Sequence, residues 1–272
     1  MKKNYIDKYK FNNKGWIWGA IWPSLIYLGL SLIVGIIGGV IAGIISYKKD
    51  IPAMDIALSG KFNLILTLIV QILVIAIILP IYLYNRKHYY PKPKQKPTIK
   101  IILLSVCFIF LIGIPCDLLL QFIKEHFINK TTGIDLVNGI IADAPLLLSI
   151  VSVVTVGPIT EELMIRGLSL NKILSRKSII FAMILSGIIF GIIHLNLIQG
   201  LFAALAGIAL AYVFIKTKSL IPCIICHIAN NLLALIEINM TNKTTLIINI
   251  IIIVVCIIPT ILFIKEKEIE FE

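Results

Sequence analysis

The chain has 272 residues, is 59% hydrophobic and only 14% charged, and has a mean hydropathy of +1.00. An ordinary globular domain carries about 25% charged residues, so this composition excludes a soluble enzyme and implies an all-α polytopic membrane protein. The net charge of +11 does not point to nucleic acid, because the lysines and arginines lie between apolar runs, where they set membrane orientation.

The N-terminal stretch MKKNYIDKYKFNNKGW is basic and leads into a long apolar run, which reads as a first span and not as a removable signal. A span needs about 20 apolar residues. Eight runs qualify, at 20–46, 62–84, 100–123, 144–167, 178–195, 197–215, 219–237 and 245–264. Trp16, Trp18 and Trp22 cluster at the first entry point as an aromatic belt would, and Gly35, Gly39 and Gly43 repeat at a spacing that allows close helix contact. The loop 86–100 is the most basic, and its prolines suggest an extended segment near anionic headgroups. The fifth to seventh runs are short and closely spaced. Five cysteines fall in apolar segments, Cys223 and Cys226 among them, and read as small hydrophobic residues, not as a disulfide framework or zinc site.

With the N-terminus inside, the inner segments (1–14, 86–100, 172–177, 216–218 and 265–267) hold 18 Lys and Arg. The outer ones (48–61, 124–130 and 243) hold 6. That bias predicts one bundle of about eight transmembrane helices with both termini cytoplasmic. The chain divides into an N-terminal region (1–143), a motif-bearing core (144–240), and a last helix with a charged tail (241–272).

The core contains GPITEELMIRGL, residues 157–168. A charge at the centre of a membrane helix costs about 2.5–3.5 kcal/mol, so Glu161, Glu162 and Arg166 together cost about 8–10. The dozen or so aliphatic residues around them return about 6. The charged side must therefore be sheltered by other helices around a polar cavity. Glu162 and Arg166 are four apart and can neutralise each other. Glu161 is turned about 100° away and has no local partner, which suits a general base.

Two of the four histidines also lie in apolar runs, in FGIIHLN (Phe190, His194) and CHIANNL (His227, Asn231). Each pair is four apart and shares a helical face. A carboxylate and an imidazole can deprotonate a water, and a second imidazole with an amide can donate hydrogen bonds to an oxyanion. Glu161, His194 and His227 are also plausible zinc ligands, although no HExxH pair is present.

Together and in this order, EExxxR (Glu161, Glu162, Arg166), FxxxH (Phe190, His194) and HxxxN (His227, Asn231) resemble the CPBP family. That family groups type II CAAX prenyl endopeptidases with bacteriocin-processing and bacteriocin-immunity (Abi) membrane proteins. The resemblance covers residues 144–240 and implies an intramembrane endopeptidase acting on a peptide or lipid-anchored peptide, and the Ile-, Lys- and Asn-rich composition points to a bacterial cell membrane. It implies Glu161 as the water-activating base assisted by His194, His227 and Asn231 as oxyanion donors, and Glu162, Arg166 and Phe190 in support. The family has been read both as metal-dependent and as using a glutamate-activated water; the metal-free reading, with no cofactor, is favoured because no ligand pair has clean spacing. A non-catalytic immunity or scaffold protein and a small transporter are the alternatives.

One expectation conflicts with these boundaries. Glu161 falls near the inner end of its span and His194 near the outer end of the next, roughly 10 Å or more apart in depth. Kinks at Pro158 or Pro222, or a shortened fifth span, would have to bring them together.

Overall fold

The computed structural model describes residues 8–9, 15–124, 126 and 133–272. Most of segment 1–14 and part of loop 124–130, whose charges entered the orientation count, lie outside the described residues. The described chain is helical almost throughout: α1 Trp16–Lys49, α2 Ala53–Leu58, α3 Gly60–His88, α4 Ile99–Ile123, α5 Gly133–Asp143, α6 Leu146–Leu174, α7 Ile179–Ile192, α8 Leu197–Thr217, α9 Leu220–Ile238 and α10 Asn242–Lys265. Long apolar runs supply the helices, and short polar residues start them. The side chains of Ser59, Thr98, Ser178, Asn196, Ser219 and Thr241 each accept a backbone N–H from the first turn of the helix that follows.

Seven of these helices are long and apolar enough to cross a membrane, and the protein is a multi-pass integral membrane protein. The partition of polarity agrees. Ile250, Val254 and Ile258 on α10 are more than half exposed, while Glu162 and Arg166 are fully buried. The fifth span is shorter than expected: α7 has 14 residues, about 21 Å at 1.5 Å per residue, less than the roughly 30 Å of a hydrocarbon core. The fourth is longer, with α6 running to Leu174 where the apolar run had been placed to end at 167.

α7 and α8 form a tight hairpin, α10 packs on α4, and α4 also packs on α8 and α9. Small residues permit the hairpin: a Cβ on Gly187 would meet the Ala204 carbonyl at 2.7 Å, and one on Gly191 the Gly200 carbonyl at 2.5 Å. The predicted contact stripe of Gly35, Gly39 and Gly43 is not one, since nothing lies within 4 Å of a Cβ at any of them. Gly38, on the face turned to α3, takes that role against Leu66. Trp18 is exposed at the start of α1 as a belt residue would be, and Lys177 sits 5.0 Å from the Trp16 ring.

The basic inner segments converge on one face. Lys100 pairs with Glu266 at 2.5 Å, Lys94 with Glu270 at 2.6 Å and Lys218 with Glu268, while Lys8 donates to the Glu272 carbonyl. Both ends of the described chain therefore meet on this basic face. On the opposite face the Gly60 N–H donates to Asp143 at 2.8 Å, joining α3 to α5.

Candidate active site

The site is built on α6, which is not a uniform α-helix. Ile150–Val156 and Leu163–Leu170 are π-helical, with a short α-helical turn, Gly157–Glu162, between them. Such i→i+5 stretches are rare and concentrate at functional sites. Here they flank the two glutamates and contain the arginine. The second stretch is held by side chains: Asn171 Nδ2 donates to the carbonyls of Arg166 (2.7 Å) and Gly167 (3.2 Å), and the Tyr90 hydroxyl donates to Gly167 O at 2.7 Å. The Asn171 Oδ1 in turn accepts the Tyr9 hydroxyl at 2.8 Å.

Arg166 Nη1 donates to Glu162 Oε1 at 2.8 Å, the i,i+4 pair the spacing predicted, with both side chains fully buried. Its Nη2 donates to the Gly207 carbonyl on α8 at 2.8 Å, and its guanidinium lies 5.0 Å from the Phe190 ring. The guanidinium thus ties α6 to both arms of the α7–α8 hairpin.

His227, on α9, stands between the two glutamates. Its Nδ1 lies 2.9 Å from Glu162 Oε1, and its Nε2 lies 3.5 Å from Glu161 Oε2. Adjacent helix positions diverge by about 100°, yet both carboxylates reach one imidazole because its two nitrogens occupy different edges of the ring. The partner that Glu161 lacks on its own helix comes from another. At 3.5 Å that contact is longer than a direct hydrogen bond, and among the described residues Glu161 makes none. Its side chain is 17% exposed against 0% for Glu162.

The Phe190 ring separates the two histidines, 5.0 Å from His194 and 5.7 Å from His227, edge-on to each. His194 Nδ1 is 2.9 Å from the Phe190 carbonyl. A carbonyl oxygen only accepts, so Nδ1 is the donor there and Nε2 is the nitrogen left for other partners. Asn231 Nδ2 donates to the Val153 carbonyl at 3.0 Å, inside the first π-helical stretch. The structure therefore joins Glu161, Glu162, Arg166, Phe190 and His227 in one cluster, with His194 beyond Phe190 and Asn231 beside α6.

The expected depth conflict does not arise. Glu161 is near the middle of α6 because the helix continues to Leu174, and His194 follows a helix of only 14 residues and is linked to the cluster through the Phe190 ring. Among the described residues no three His, Cys, Asp or Glu side chains are grouped to hold a metal ion, and both His227 nitrogens already face carboxylates. Cys223 and Cys226 are buried free thiols in the α9 packing surface.

Sequence reasoning did not find Gly207, Asn171 or Tyr90. Asn171 follows Arg166 by five, a spacing that only a π-helix makes adjacent, so a search at three and four passes over it. Gly207 acts through its backbone carbonyl and leaves no side-chain signal.

The type II CAAX prenyl endopeptidase Rce1-like family matches residues 143–233. A 92-residue stretch is 30% identical to a Bacillus subtilis (strain 168) protein named "Putative membrane peptidase YdiL". The match covers 34% of this chain and 37% of that relative's length. No solved structure matches. The matched segment spans the three motifs and every residue of the cluster just described, and over that segment the chain is similar to the Rce1-like family.

Proposed function

We propose that the protein is an intramembrane endopeptidase that hydrolyses membrane-associated peptides or lipid-anchored peptides with a glutamate-activated water. The observation that carries this reading is the different treatment of two adjacent glutamates. Glu162 is fully buried and held closely by Arg166 and His227, whereas Glu161 is partly accessible and meets His227 at the longer distance of 3.5 Å. Two carboxylates given different environments are suited to different roles. The family match and the relative's name as a putative membrane peptidase support the same reaction class.

In this mechanism the Glu161 carboxylate takes a proton from water as the water oxygen attacks the scissile carbonyl carbon, and His194, through its unprotonated Nε2, orients that water. The carbonyl π-electrons move onto oxygen, where the Nε2–H of His227, whose Nδ1–H is held by Glu162, and the second N–H of Asn231 donate hydrogen bonds to the oxyanion. Collapse breaks the C–N bond, and the proton held by Glu161 passes to the departing amine. Arg166 and Glu162 hold His227 in place.

The test is cleavage of membrane-tethered peptide precursors by the purified chain, beside Glu161→Gln. Cleavage lost in the variant, with unchanged thermal unfolding, supports the mechanism; cleavage retained removes Glu161 from the reaction. An immunity or scaffold role would survive the same substitution.

A further inference from the structure

A cavity of about 570 Å³ lies on the basic face between the end of α3 and the loop that follows it, away from the glutamates. Its cationic lining is Arg86 and Lys87 from the helix and Lys92, Lys94 and Lys96 from the loop, with Leu83 as an apolar wall. Lys94 is paired with Glu270, and Glu272 lies at the rim. Among the described residues Lys87, Lys92 and Lys96 have no carboxylate partner, which leaves the cavity with a cationic excess.

The loop is not a loose, solvated run. The Lys94 N–H donates to the Glu270 carbonyl and the Glu272 N–H to the Lys92 carbonyl, each at 2.9 Å, around a bridge between Pro93 and Phe271. Tyr90 anchors the other end to Gly167 on α6. The lysines are therefore presented from fixed backbone. The depth is also marked: Tyr84, His88 and Tyr89 form a ring cluster beside the cavity, with Tyr84 4.5 Å from His88 and 5.9 Å from Tyr89. Exposed aromatic rings at the end of an apolar helix belong at headgroup level.

The geometry points to a binding site for the phosphate headgroup of an anionic phospholipid, with Arg86, Lys87, Lys92 and Lys96 around the phosphate and the acyl chains descending past Leu83. Basic pockets at transmembrane helix ends have the chemistry to hold such headgroups, and each cation near an anionic surface contributes about 1 kcal/mol. A free phosphate ester would satisfy the same cations but not the apolar wall or the aromatic marker.

The test is native mass spectrometry of the full chain in detergent with phosphatidylglycerol, phosphatidylcholine or inorganic phosphate added. We expect selective retention of phosphatidylglycerol, about 30-fold weaker in Lys92→Gln/Lys96→Gln at roughly 1.4 kcal/mol per tenfold. Lys48→Gln/Lys49→Gln, at the far end of α1, should retain it as the wild type does. Lys87→Gln reads the same site from the helix, should the loop variant not fold. Undiminished retention in the folded variants, equal retention of phosphatidylcholine, or displacement by equimolar inorganic phosphate would overturn the assignment.

Discussion

Replacing Glu162 with leucine would leave the Arg166 guanidinium buried against only the Gly207 carbonyl and the Phe190 ring. Stranding one partner of a buried ion pair costs about 3–5 kcal/mol, whereas removing both often recovers much of that. Thermal unfolding in detergent should therefore fall sharply for Glu162→Leu and less for Glu162→Leu/Arg166→Leu. Glu161→Gln, with a partly exposed side chain and no hydrogen bond to lose among the described residues, should stay within about 0.5 kcal/mol of wild type. A large loss there would mean that Glu161 also serves the fold. At this scale the sequence was informative where charge stands in an apolar run. The Glu162–Arg166 pair followed from spacing alone. The imidazole between the glutamates did not, because the His227 contact depends on how α9 packs on α6, and no local pattern encodes that.

Helices were legible from apolar run length, but their depths were not. The end of α6 was missed because its last residues, Leu168–Leu174, mix Ser169, Asn171 and Lys172 with leucines, and a hydropathy window closes there. The π-helical stretches have no composition signature and depend on tertiary donors such as Tyr90 and Asn171. Glycine roles illustrate the same limit. Gly35 and Gly207 look alike in sequence, yet a Cβ at Gly207 would sit 3.0 Å from the Gly187 Cα, 3.1 Å from the Phe190 ring and 3.5 Å from Arg166 Nη2. Gly207→Ala should cost about 1–3 kcal/mol through overpacking, and it should lower cleavage by shifting Phe190 and the carbonyl that holds Arg166. Gly35→Ala meets nothing and replaces a poor helix former, so its unfolding temperature should match or slightly exceed wild type. Equal effects of the two would mean that α8 can move away from α7 at little cost.

For the whole molecule, the charge counts predicted that the most basic segments share one side, and in the structure Lys94, Lys100 and Lys218 lie on one face. What the counts did not reveal is that the acidic tail joins them. After α10 the chain runs extended across the basic face. There the Ile269 N–H donates to the Lys216 carbonyl at 3.0 Å, its side chain is buried, and Glu266, Glu268 and Glu270 each take a lysine. Exposed pairs such as Lys94–Glu270 are screened by salt and contribute little singly. Lys218 differs, because its amine is largely buried beside the tail. Burial pulls it from the usual 10.5 down to about 8, with Glu268 only partly opposing the shift. A lysine depressed in this way binds fewer protons in the folded protein than in the unfolded chain between pH 8 and 10.5. Its contribution to stability therefore rises with pH across that window and is unfavourable below it. Lys218→Met removes the charge while keeping an apolar chain of similar length. The variant should melt higher than wild type near pH 7, and the gap should close as the pH rises toward 10. Thermal unfolding of both proteins at matched pH isolates this lysine from the other groups that titrate. A gap independent of pH would show that Lys218 keeps its proton at an ordinary affinity and that Glu268 fully offsets its burial.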